Sequence, residues 1–158
     1  MLAGRDLELF PALAREWTVL VTFNGLSFDV PILRRAFPDW TPPEAHVDLR
    51  HVLARLGHDG GLKAIERRLA MLNLKRPAHL DGIDGWDACS LYRRGRDGDR
   101  ASLRRFAEYN LYDAINLRAL LEWAVNEIAL TNVWGMDPLP VFGRGDVLYD
   151  LSKLLLTL

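Results

Sequence analysis

Cysteine is almost missing from this chain: Cys89 stands alone among 158 residues, so no internal disulfide can form. No stretch is long and apolar enough to span a membrane. The N-terminus has no basic start followed by an apolar core, so no signal peptide is expected. These absences favour a cytoplasmic location. An excess of positive charge is missing too. Twenty Lys and Arg face 21 Asp and Glu, for a formal net charge of −1. Bulk charge therefore does not indicate a strongly basic nucleic-acid binder. His46, His51, His58 and His79 lack zinc spacing. Gly57 to Lys63 is glycine-rich, but no strand leads into it and no Ser or Thr follows the lysine, so it reads as a turn and not a phosphate loop. No Gly-x-Ser-x-Gly is present to support a serine hydrolase.

What is present fits one globular domain. Apolar residues make up 49% of the chain and charged residues 26%, enough to build a core with a solvated surface. Basic clusters occur at Arg34-Arg35, at Lys63 with Arg67 and Arg68, at Lys75-Arg76, and at Arg93-Arg94-Gly95-Arg96. Such runs ordinarily form solvated faces.

Periodicity predicts a helix over Asp6–Trp17 and a buried strand over Thr18–Phe23, which Asn24-Gly25 ends. Asp29 is placed to cap a helix that tolerates Pro31 in its first turn and closes before Pro38. A short strand is expected at Ala45–Val47, with Asp48 capping a helix over Leu49–Leu56 that Gly57 terminates. Further helices are expected at Leu62–Leu72 and Asp87–Arg94, the second stopped by Gly95. The stretch from Asn73 to Gly85 reads as irregular. Ala101–Leu130 is the longest helical pattern. Phe106, Asn110, Asp113, Leu117, Leu120, Ala124 and Ile128 track one face of it, and the polar pair in that stripe needs partners. An apolar segment, Val147–Leu158, ends the tail.

Two motifs carry the chemistry. The first runs Thr22-Phe23-Asn24-Gly25-Leu26-Ser27-Phe28-Asp29, directly after the strand. The second is Tyr109-Asn110-Leu111-Tyr112-Asp113, whose tyrosine and aspartate lie one helical turn apart on one face. Carboxylate oxygens suit Mg²⁺ or Mn²⁺. Two such ions about 4 Å apart can clamp the attacking and leaving oxygens of a phosphodiester. A tyrosine beside the helix carboxylate could hold the attacking water. Plainer readings stand beside these. Asp29 can be an N-cap alone, Asp113 a buried partner of a backbone or arginine group, and Tyr109 a packed aromatic. Asp48 reads as a cap, not a ligand.

In these motifs the chain resembles the RNase H-like 3′–5′ exonucleases of the DEDD superfamily, tyrosine subclass. It is most similar to the YprB-type domain, through Phe-Asn-Gly, His46-Val47-Asp48-Leu49 and the Leu62–Glu66 helix. The resemblance covers roughly Asp6 to Ile128. It implies a metal-dependent 3′–5′ exonuclease acting on single-stranded DNA or RNA. Asp29 and Asp113 would hold Mg²⁺ or Mn²⁺, and Tyr109 would orient the water. Asn24, Gly25 and Phe28 would line the substrate groove.

The resemblance also calls for an Asp-x-Glu on a first strand. Asp6-Leu7-Glu8 has the letters but opens a helix, where acids complement the macrodipole. The expectation is therefore a helix-rich, N-terminally truncated α/β RNase H-like (DnaQ-like exonuclease) fold with few strands. Residues 1–130 form the domain, without its first three strands, and 131–158 form a tail with an apolar helix. A misassigned start codon or a fragment would account for this. Two carboxylates should bind divalent ions more weakly than four. The strand at 18–23 would have an open edge, able to recruit a second copy or a partner chain. A catalytically degenerate module that binds nucleic acid or a protein partner is the alternative.

Overall fold

The computed structural model describes residues 7–72, 74 and 76–131. Helices dominate. A 3₁₀ turn at Leu7–Leu9 leads into α1 (Phe10–Ala14), then β1 (Val19–Thr22), α2 (Asp29–Ala36), β2 (Ala45–Asp48), α3 (Leu49–Arg55), α4 (Leu62–Arg68), α5 (Gly85–Arg96) and α6 (Arg100–Thr131). β1 and β2 pair in parallel, from Val19 opposite Ala45 to Thr22 opposite Asp48. Parallel neighbours need a crossover, and α2 supplies it. Among the described residues the sheet has these two strands only, as expected of a strand-poor α/β domain. Among the described residues no helix is long and apolar enough to cross a membrane.

One core gathers Phe10, Leu20, Val21, Val30, Trp40, Leu49, Leu53, Ile65 and Leu69 against the second half of α6, at Leu117, Leu120, Leu121 and Ala124. Leu49, Leu53, Ile65, Leu120 and Ala124 are fully buried. Each such large aliphatic side chain contributes roughly 1.5–3 kcal/mol by leaving water. Phe10 stacks on Phe37 with centroids 4.6 Å apart and meets Trp40 edge-on at 5.1 Å. A smaller cluster packs α5 against the first half of α6 through Leu80, Ile83, Ala88, Leu91 and Tyr109.

Several expected boundaries move. The first helix stops at Ala14, so Trp17 lies beyond it. The strand is Val19–Thr22, and its first residue is exposed. The helix expected to reach Leu72 ends at Arg68, and a 3₁₀ turn covers Ala70–Leu72. Within the irregular 73–85 stretch, Ala78–Leu80 forms a 3₁₀ turn.

α5 starts earlier than expected, because Asp84 accepts from the N–H groups of Trp86 and Asp87 while Asp87 returns a bond to the Asp84 N–H. That reciprocal capping box satisfies the first-turn donors. Gly95 does not stop α5. It lets α6 come close, since a Cβ there would lie 2.8 Å from the Leu103 Cβ. The long α6 is as expected, but Ile128 leaves the buried stripe and is exposed. Asp6 and the tail from 132 onward, with its expected apolar helix, lie outside the described residues.

Candidate active site

The loop after β1 is shaped by a buried carboxylate. Asp48 is 4% exposed. Its Oδ1 accepts from the Asn24 N–H at 2.7 Å and the Arg50 N–H at 3.2 Å, and its Oδ2 from the Leu26 N–H at 3.0 Å. Asp48 therefore caps α3, as its position suggested, and also holds the Asn24 loop. Asn24 takes a left-handed φ of 65°, which asparagine tolerates better than most residues. Its Oδ1 accepts from Arg50 Nη1 at 2.7 Å. Gly25 is buried, and a Cβ there would come within 2.4 Å of the Thr22 side chain. Only glycine fits that close approach.

Asp29 is not the cap of α2. Phe28 occupies that position without a side-chain bond, and Asp29 is the first residue of the helix. There the helix dipole favours its charge. Burial works against it and raises the Asp29 pKa above the usual carboxylate value. Asp48 adds to the rise, and a bond to the Asp29 N–H opposes it. An acid whose charge is disfavoured at a cavity wall is a candidate functional group. His46, bonded to Thr22 Oγ1 at 2.9 Å, has its pKa lowered by burial, partly offset by Asp48.

The raised Asp29 pKa has a testable sign. Ionisation costs more in the folded chain than in the unfolded one. The penalty is full above the raised value, shrinks as pH falls through it, and vanishes below the ordinary 3.8. Asp29→Asn should therefore raise the melting temperature at neutral pH. Melts taken from about pH 8 down to about pH 3 should converge at the acid end.

Asp29 and Asp113 line one cavity of about 630 Å³. Asn24, Phe28, Arg50, Gly60, Gly85 and Asn110 share its wall, and Phe10, Trp17, Leu20, Val21 and Leu117 make its apolar part. Two acids 84 positions apart thus reach one space. Tyr109 is not in that wall. It is 7% exposed and packed among Leu80, Ile83, Ala88 and Leu91. Its hydroxyl is hydrogen-bonded to Asp113. Its pKa is raised first by burial and then by the Asp113 charge, so it stays protonated at neutral pH.

The arginine partner that the plainer reading of Asp113 allows is Arg76, while Lys63 and Glu66 beside it were not foreseen. Its Oδ1 accepts from Lys63 Nζ and from Arg76 Nη2 at 2.6 Å. Arg76 also bonds both Glu66 oxygens, at 3.1 and 3.2 Å. Asn116 Nδ2 donates to Glu66 at 2.8 Å. Lys63 Nζ lies 3.5 Å from Glu66 and 4.7 Å from the Tyr109 ring centroid. Burial pulls the Arg76 pKa down, but the charges and bonds of Asp113 and Glu66 outweigh it and raise the value.

The donors suit a hard cation such as Mg²⁺ or Mn²⁺, being two carboxylates at one cavity with two amides beside them. They fall short of a set for two ions. Among the described residues no three His, Cys, Asp or Glu side chains group as metal ligands.

A parallel strand pair wrapped by helices, with an acid after β1 and another on α6 lining one cavity, makes a helix-rich α/β domain. A family model for the RNase H superfamily matches residues 5–125, and the chain belongs to that superfamily. No curated protein and no solved structure matches the chain.

Proposed function

We propose that the cavity shared by Asp29 and Asp113 is the centre of a 3′–5′ exonuclease-type site for single-stranded DNA or RNA. The single observation that carries this reading is the convergence of both acids on one wall. When bound, a divalent cation would supply Lewis-acid activation of the phosphodiester and its attacking water. Asp29 and Asp113 would hold it. Asn24 and Phe28 would contact the strand, and the exposed Phe28 ring offers a face for a base to stack on. Gly25 serves by keeping the loop tight. Tyr109 fixes the Asp113 carboxylate by its hydrogen bond and is the residue that the YprB-type and DEDD resemblance assigns to the water. The test is a 5′-labelled single strand incubated with Mn²⁺. Shortening from the 3′ end should be lost in Asp113→Asn.

The second reading is a module that binds nucleic acid or a partner chain without cutting. The cations already on Asp113 favour it, as does the β1 edge, which carries no second strand partner among the described residues. Cleavage lost in Asp113→Asn would reject that reading. Unaltered strands with every metal tried would support it.

A further inference from the structure

The outward face of α2 is bare, and it begins at the cavity. Phe28, at the entry of the helix, lines the cavity with Asp29 and is 63% exposed. Ile32 is 53% exposed, and its N–H donates to the Phe28 carbonyl at 3.4 Å, so it follows one turn later. Arg35 comes three residues further on and is exposed as well. Positions 28, 32 and 35 share one helix face, while Val30, Leu33 and Phe37 pack into the core. We infer that this Phe28–Ile32–Arg35 face is the track along which a single-stranded nucleic acid leaves the cavity, with bases on the two apolar side chains and a backbone phosphate on Arg35. The inference rests on the reading of the cavity as a nucleic-acid site.

Charge selects the occupant. α2 ends in Arg34-Arg35 and has no acid after Asp29. Among the described residues neither guanidinium is hydrogen-bonded or ion-paired. Lys63 and Arg76, by contrast, are tied to Glu66 and Asp113. A guanidinium with no carboxylate of its own can give both prongs to a phosphate. Arg50, exposed on the cavity wall, adds another positive charge there.

The apolar residues narrow the choice further. An apolar protein surface would cover Phe28 and Ile32 but would bury Arg35 unpaired unless it brought an acid. A polyanion that carries flat bases matches the whole face, stacking surface beside the cavity and cation beyond it. At 1.5 Å per residue the face runs about 10 Å from Phe28 to Arg35, enough for a short run of nucleotides.

Labelled oligothymidylate and oligouridylate of about 12 nucleotides test this in EDTA, where no divalent metal is free. Fluorescence anisotropy at several salt concentrations gives the affinity and its slope against log salt. Arg35→Gln should weaken binding and make the slope shallower by about 0.7, the share of one phosphate contact on a single strand. Phe28→Ala should weaken binding at least about fivefold. Ile32→Ser should weaken it about threefold or more and leave the slope alone. Arg93→Gln makes the same charge change on α5 and should not alter the slope. A response with either strand supports the track, and the strand that shows it names the sugar.

An unchanged slope in Arg35→Gln or an unchanged affinity in Ile32→Ser overturns the inference, and so does an equal change of slope in Arg93→Gln. Failure of the unchanged chain to bind either strand at low salt overturns it too. Binding with the expected signature but no cleavage in any metal leaves the track standing while the nuclease reading falls.

Discussion

Asp48→Ala should cost roughly 3–5 kcal/mol of folding stability, because it strips the acceptor from three backbone N–H groups at once. That is a large part of the 5–15 kcal/mol that holds an ordinary domain together. Two of the three donors sit in the loop that carries the left-handed Asn24. Without Asp48 that loop has no reason to keep its path, and Asp29 moves with it. Asp48→Asn should cost less. Its carbonyl can still accept from Asn24 and Arg50, but its amide would confront the Leu26 N–H. Urea denaturation of the three proteins should rank them in that order, and equal midpoints would show that the loop holds itself.

Glu66→Ala carries the second large effect, roughly 2–4 kcal/mol. The substitution leaves Arg76 with Asp113 alone and removes the acceptor of the Asn116 amide. Asn116 is 4% exposed, so water cannot readily replace that bond. Replacing Arg76 by Met in the same chain should restore part of the loss, because the stranded charge goes with it. Thermal unfolding of the two single variants and the double variant gives the coupling. Strict additivity would mean that the network is worth no more than its separate surface pairs.

These two carboxylates mark what the sequence made legible and what it hid. Asp48 was readable as a cap, since its bond to Arg50 is local. Its bonds to Asn24 and Leu26 span more than 20 residues, and no local pattern announces them. Glu66 entered only as the end of the Leu62–Glu66 helix that carries the resemblance, and Lys63 with Arg67 and Arg68 as a solvated run. The cue lay on α6, where Asn110, Asp113 and Asn116 recur at helical spacing and need buried partners.

The strand end and the polar stripe of α6 are both strong periodic signals, and Asp29, Asn110 and Asp113 from them line one cavity, whereas Tyr109 packs away from it. Asp29 misled in one respect. It has a cap's residue type, yet the chain enters α2 through Phe28, which brings no cap. Asp84 and Asp87 spell a capping box around Gly85, which puts that glycine in the first turn of α5 and not at the end of an irregular stretch.

The central claim is that Asp29 and Asp113 serve one cation. Paramagnetic broadening by substoichiometric Mn²⁺ tests it without any substrate, in amide spectra of the ¹⁵N-labelled chain. Signals from Ser27–Val30 and from Asn110–Ala114 should fade together at the same metal concentration, and both should recover in Asp113→Asn. Fading confined to one of the two segments, or spread over exposed acids elsewhere, would contradict a shared centre.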